Sequence, residues 1–137
     1  VTAPDCVFCR IASGAIPAHI VAEDSDCIAF LDHRPAAPGH TLVMPRQHIE
    51  VLWDADPDQA GALLRLARDV SAVLHKRLGC DGLTLRQNNG AASGQEIPHL
   101  HFHLVPRWQG DGHIGWPRPM TGEYDPVAVL SQLTEDR

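Results

Sequence analysis

Between residues 57 and 78 the apolar positions recur three and four apart, at 60, 63, 64, 67, 70, 74 and 78. That period predicts one long helix with a single buried stripe. Asp56 can cap its start, Pro57 suits the first helical position, and Gln59 stands three residues after the cap, where a reciprocal partner belongs. Gly79 closes the run with the residue that best tolerates a left-handed cap. Elsewhere the pattern shortens to that of strands. Residues 18–31, AHIVAEDSDCIAFL, predict two strands around an acidic turn at Glu23–Asp26. A proline–glycine loop, DHRPAAPGH, leads to TLVMP, a short buried strand closed by Pro45. GLTLRQ and HLHFHLVP predict two further strands, separated by the small-residue loop NNGAASGQEI. Residues 1–16 read as a turn into a brief helix or loop. Residues 108–126 read as a Trp/Pro/Gly-rich tail before a short helix near 127–133. Helices and strands mix without repeated strand–helix–strand units, which predicts an antiparallel α+β layer fold in one domain spanning 1–137.

The stretch PHLHFHLVPR carries the chemistry, with His99, His101 and His103 at every second position. On a helix each such step turns roughly 200°, so the three imidazoles would share no face. On a strand they must share one, and Leu100, Phe102 and Leu104 then fill the other. Pro98 and Pro106 exclude a helical interior. The rungs of such a ladder lie about 6.6 Å apart, wide for ring-to-ring bonding and suited to gripping successive parts of an extended ligand. Taken alone, such residues also fit a solvated polar face, core histidines, or an open three-histidine zinc centre that activates water. Asn88, Asn89, Gly90, Ser93, Gly94 and Gln95 just upstream supply amides and exposed N–H groups, as an anion nest does. Any surface turn uses similar residues; their junction with the histidine row is what points to phosphate.

Composition narrows the partners. The 137 residues are 44% hydrophobic and 20% charged, ordinary for a globular chain with a real core. A formal net charge of −6 disfavours nucleic acid and anionic membranes, which reward basic surfaces. No apolar run is long enough to span a bilayer, and VTAPDCVFCR lacks the layout of a signal peptide. Four cysteines, at 6, 9, 27 and 80, do not make a secreted disulfide framework, so the expected location is the cytoplasm. Cys27 and Cys80 are expected in the core. Cys6-Val-Phe-Cys9 by itself fits a zinc half-site, a redox pair or chance spacing.

With loop and row together, the sequence resembles the histidine triad (HIT) family of nucleotide hydrolases and transferases. The family's signature of three histidines alternating with apolar residues is complete over His99-Leu100-His101-Phe102-His103-Leu104-Val105. The flanking GQEIP and Pro106-Arg107, Cys6-Val-Phe-Cys9, Ala29-Phe30-Leu31-Asp32 and Pro38-Gly39-His40-Thr41-Leu42-Val43 are similar too, in order over about residues 5–107. The resemblance implies a small antiparallel sheet of about five strands with one long and one shorter helix, paired as a homodimer. It implies that His101 attacks the α-phosphorus of a purine nucleotide, and that His103 and His40 bond the phosphate. Asp32 would accept the ribose hydroxyls, Phe8, Ile11 and Phe30 would line the base slot, and Asn88, Gly94 and Gln95 the phosphate loop. His103 in the last triad position, where the transferase branch has glutamine, implies hydrolysis.

The zinc-carrying branch of the family adds two histidines to the cysteine pair. This implies a structural zinc ion on Cys6, Cys9, His48 and His99. Two departures stand out: Glu96 occupies a position where some members have serine or threonine, and His33 follows Asp32 where an aliphatic residue often lines the base. The expected substrate is a nucleoside phosphoramidate or a dinucleoside polyphosphate. Two rival readings are a zinc-water hydrolase built on the histidine row, and a nucleotide-binding scaffold without useful turnover. Trp108 and Trp116 are expected near the partner's site in a dimer.

Overall fold

A computed structural model of the chain describes residues 3–135. Its first helix, α1 (Val7–Ala12), starts at Cys6, whose sulfur accepts the Cys9 N–H. Strands β1 (Ile20–Glu23) and β2 (Cys27–Leu31) follow, joined by a turn in which Asp24 Oδ1 accepts the N–H groups of Asp26 and Cys27. β3 is Thr41–Pro45. The long helix α2 (Pro57–Leu78) has the capping box on Asp56 and Gln59 and the left-handed cap at Gly79, φ 66°. β4 (Gly82–Arg86), β5 (Phe102–Arg107) and α3 (Pro126–Thr134) complete it. The strands form one antiparallel sheet in the order β1-β2-β3-β5-β4.

Both faces of the central strands are covered, so β2 and β3 are buried at every position. Alternation divides them. Cys27, Ala29, Leu31, Val43 and Leu104 pack under α2, while Ile28, Phe30, Leu42 and Met44 pack under α1. Cys27 and Cys80 are both buried, and burial pushes the Cys27 thiol up to about 12.

The buried stripe of α2 is rotated from the expected one. Ala62, Leu63, Leu66, Ala67, Val70 and Leu74 are buried, whereas Leu64 is exposed. The helix packs against α3 as well as the sheet, and Ala62 and Leu66 belong to the core cluster with Val73 packed against it. A second difference concerns the histidine strand. β5 begins at Phe102, so His99, Leu100 and His101 lie outside regular pairing. Val43 faces Phe102 in the β3–β5 register, and continuing it would bring Leu100 opposite Pro45. Pro45 has no N–H to offer, and the ladder stops. Leu100 donates its N–H to the Ile49 carbonyl instead.

Gly39 stands directly before His40 with φ 89°, a backbone that side chains rarely adopt. A Cβ there would overlap Leu78 and crowd Leu74 and Pro106, each 3.3 Å away. We expect Gly39→Ala to lose about 1–3 kcal/mol of stability. Thermal denaturation checks this, and an unshifted Tm would contradict it.

Candidate active site

Although the ladder ends at Phe102, the three histidines do share one face. The His99 and His101 rings lie 5.8 and 5.1 Å from the Phe8 ring, and His101 lies 5.0 Å from His103. The last spacing is shorter than that of an ideal ladder, because His101 sits where the strand begins and the rings tilt edge to face. Leu100 and Leu104 are in the core on the other side.

Backbone partners fix which nitrogen of each ring carries the proton. A carbonyl only accepts, so His101 donates Nδ1–H to the His99 carbonyl (2.6 Å), and its Nε2 keeps a lone pair. The Ala36 N–H only donates, so His40 Nδ1 accepts it at 2.9 Å and the His40 proton is on Nε2. From there His40 donates to His103 Nδ1 (3.0 Å), which puts the His103 proton on its own Nε2. The result is one lone pair on His101 and one N–H on His103, neither with a hydrogen-bond partner among the described residues. Burial favours these neutral forms. It lowers His101 and His40 below the ordinary histidine range and His103 to about 3, against the opposing pull of Asp32.

His40, His101 and His103 line a cavity of about 840 Å³. Phe8, Ile11 and Phe30 form part of its wall; Phe8 and Phe30 are also core residues in edge contact, their rings 5.5 Å apart. Asp32 lines it too, with Oδ1 accepting the Arg34 N–H and Oδ2 3.5 Å from His40 Nε2. In the loop between β4 and β5, Asn88 takes an Arg86 Nε–H on Oδ1, and its amide nitrogen faces Gly94. Gly94 has φ 97°, and a Cβ there would come 3.4 Å from that nitrogen. Gln95 lines the cavity as well, while its amide donates to the Glu50 and Ile97 carbonyls and accepts the Gly90 N–H, so this side chain also staples the loop. Glu96 and His33 both line the cavity and are exposed.

On the α1 side, Cys6, Cys9, His48 and His99 converge, with ligand atoms all within 4.8 Å of one another. His99 donates Nε2–H to the Pro45 carbonyl (2.8 Å), which turns its Nδ1 lone pair to the sulfurs at 3.4 and 3.6 Å. Cys9 Sγ lies 3.3 Å from His48 Nδ1. Tetrahedral zinc holds S and N ligands about 3.6 Å apart, so this donor set fits it. Without a cation, burial lowers His99 to about 4 and raises the Cys9 thiol. Asp32, His40 and His103 form a second close group. It suits a cation poorly, because the lone pair of His40 already accepts the Ala36 N–H. That weakens a water-activating metal on the histidine row.

Four contributors were not singled out as site residues from the sequence. Ala36 and Pro45 act through backbone atoms, which no side-chain motif reveals. Arg86 lies opposite His103 in the β4–β5 register, and Tyr124 lines the cavity with a buried hydroxyl that has no partner among the described residues. Trp116 lies beside the cavity of its own chain. It packs edge-on against the chain's own His103 at 5.4 Å, and Trp108 packs with it on Ala36, Ala37 and Val105. Two contacts hold the tail there: the Arg107–Asp111 pair at its root and the Met120 N–H donated to Pro35.

The chain is similar to known proteins over most of its length. The HIT domain profile matches residues 13–110. An adenosine 5'-monophosphoramidase of Schizosaccharomyces pombe is 35% identical over 115 residues, 82% of this chain and 83% of that protein. An adenylylsulfatase of Arabidopsis thaliana is 38% identical over 107 residues, 78% of this chain and 54% of that longer protein. The crystal structure of a Zn-bound histidine triad family protein from Mycobacterium smegmatis superposes with a TM-score of 0.85. It is 33% identical and covers 94% of this chain and 90% of that one.

Proposed function

The chain belongs to the HIT domain family, and from that premise we propose that it is a nucleotide hydrolase cutting at the α-phosphorus through His101. One observation carries the reading: the His99 carbonyl holds the His101 proton on Nδ1, so a buried neutral imidazole presents its Nε2 lone pair to the cavity. Nε2 attacks phosphorus, and the bond to the leaving group breaks with its electron pair, a phosphate leaving as an oxyanion and a nitrogen as neutral amine after taking a proton from solvent. The His103 N–H bonds a phosphate oxygen, where charge develops in the transition state. His40 orients His103 and can pass its proton along the same bond. Water then cleaves the phosphorus–nitrogen bond and restores His101. The base lies against Phe8, Ile11 and Phe30, and Asp32 accepts a ribose hydroxyl on Oδ2.

The substrate is a nucleoside phosphoramidate or a dinucleoside polyphosphate, with a purine preferred; the activity named for the fission-yeast relative supports the first. A structural zinc ion on Cys6, Cys9, His48 and His99 is supported by the donor geometry and by the Zn-bound mycobacterial relative. Such a closed site adds stability and leaves no position for a reactive water. Homodimerisation fits the unpaired outer edge of β4, where Leu85 is exposed. No helix among the described residues is long and apolar enough to cross a membrane. Four free cysteines suit the cytoplasm, and the net charge of −6 suits neither nucleic acid nor anionic lipid as a partner.

His101→Ala should stay folded and lose turnover by about four orders of magnitude, while His103→Ala should lose about two to three. Rapid quench with adenosine 5'-phosphoramidate and intact-mass measurement should show an added AMP, absent from His101→Ala. Undiminished turnover in His101→Ala would refute the nucleophile and favour a metal-activated water. Absence of any turnover would favour the scaffold reading.

Elemental analysis should find one zinc per chain. Cys6→Ser combined with Cys9→Ser should release it and cost on the order of several kcal/mol, read as a lower Tm. A chain that keeps its metal and its Tm after both substitutions would exclude this ligand set.

Sedimentation at micromolar concentration should give twice the 14.9 kDa chain mass. A monomer there would overturn the dimer.

A further inference from the structure

Arg86 ends β4 directly opposite His103 on β5. Residues paired this way project to the same face of a sheet, so the guanidinium stands on the catalytic face. Its Nε–H is given to Asn88 Oδ1 at 3.1 Å, and its Cζ lies 4.4 Å from the centroid of the Trp116 ring. Stacking on the indole and the bond to Asn88 together fix the plane of the fork. The remaining N–H groups have no hydrogen-bond partner, and no carboxylate is within ion-pairing distance among the described residues. One terminal nitrogen comes 3.7 Å from where a Gly94 side chain would begin, which places the guanidinium beside the loop.

The cavity is thereby polarised across the sheet. Its nucleoside wall, with Phe8, Phe30 and Asp32, lies toward β1–β3, the histidines are in the middle, and Arg86 closes the β4 side. Three arginines, Arg34, Arg86 and Arg118, line the cavity against two carboxylates, Asp32 and Glu96. Asp32 is engaged with the Arg34 N–H and His40, and Glu96 is exposed.

From this geometry we infer that Arg86, held by Trp116 and Asn88, is a subsite for a second anionic group of the substrate, beyond the α-phosphate. The leaving group is then an oxyanion, such as a further phosphate. An amine leaves neutral, once its nitrogen has taken a proton, and offers a guanidinium no charge to bind. The inference rests on the proposed nucleotide site and selects within its substrate class. The residue acts by recognising the leaving group and takes no part in bond making at His101.

The test is calorimetric and independent of turnover. AMP and the α,β-methylene analogue of ADP, which cannot be cut at the α-phosphorus, are titrated into the unsubstituted chain, Arg86→Met and Arg86→Lys. A charge-assisted bond to the second phosphate should make the analogue bind about tenfold or more tighter than AMP. In Arg86→Met that ratio should fall to near one, and Arg86→Lys, which keeps charge without the fork, should restore part of it. An unaltered ratio in Arg86→Met overturns the subsite. So does an equal weakening of both ligands, which would make Arg86 only a clamp for Trp116. If the ratio collapses but no AMP adduct forms on His101, the subsite stands and the hydrolytic reading falls. If the adduct forms and the ratio does not move, the reverse holds.

Discussion

A neutral imidazole has one N–H and one lone pair, and burial holds His40, His99, His101 and His103 to that ration. Each ring therefore gives one nitrogen to the scaffold and has one left over. The Pro45 carbonyl takes the His99 proton and directs a lone pair to the cysteines. The His99 carbonyl takes the His101 proton and directs a lone pair to the cavity. The Ala36 N–H occupies the His40 lone pair and, through His40, leaves His103 a donor. Three chemically different outcomes come from one residue type, set by the backbone atom beside it.

The fold exists in a form that supplies those backbone atoms. β2 and β3 are buried on both faces, which makes them a rigid floor between α1 and α2. Pro45 ends β3 and interrupts the ladder opposite Leu100. With the ladder interrupted, Leu100 turns its N–H to Ile49, and the Pro45 carbonyl is left to accept the His99 imidazole proton. Gly39 and the loop before β3 do the same for the Ala36 N–H, turning it back under His40.

Much of this was legible in the sequence where it depends on local period. The alternation through His99, His101 and His103 requires a shared face, and the capping box and Gly79 bracket α2 from their own chemistry. What was not legible depends on neighbours. The spacing of α2 does not say which flank of its apolar stripe the core will take, and the structure buries Leu66 where the period points to Leu64. Gln95 carries the right amide in the right loop, but its partners, Glu50 and Gly90, are decided by the packing of another segment. Arg86 reads as an ordinary strand residue until the β4–β5 register sets it across from His103. Phe8 and Phe30 belong to the core and also line the cavity, so a place in the core does not exclude a place in the cavity wall.

His99 joins the two halves of the site. Its side chain belongs to the cysteine cluster and its carbonyl belongs to His101, so the cluster and the His101 ring are joined through two positions of the chain. A side chain anchored at one nitrogen to Pro45 and at the other among sulfurs cannot rotate without carrying its backbone along. The cluster therefore restrains the direction of the His101 lone pair without touching it. On the opposite side, Trp116 and Arg86 press against His103 from the tail and from β4. The histidine row is thus fixed at its first member by the N-terminal segment and at its last by the C-terminal one. Its middle member, His101, faces the cavity between two anchored neighbours.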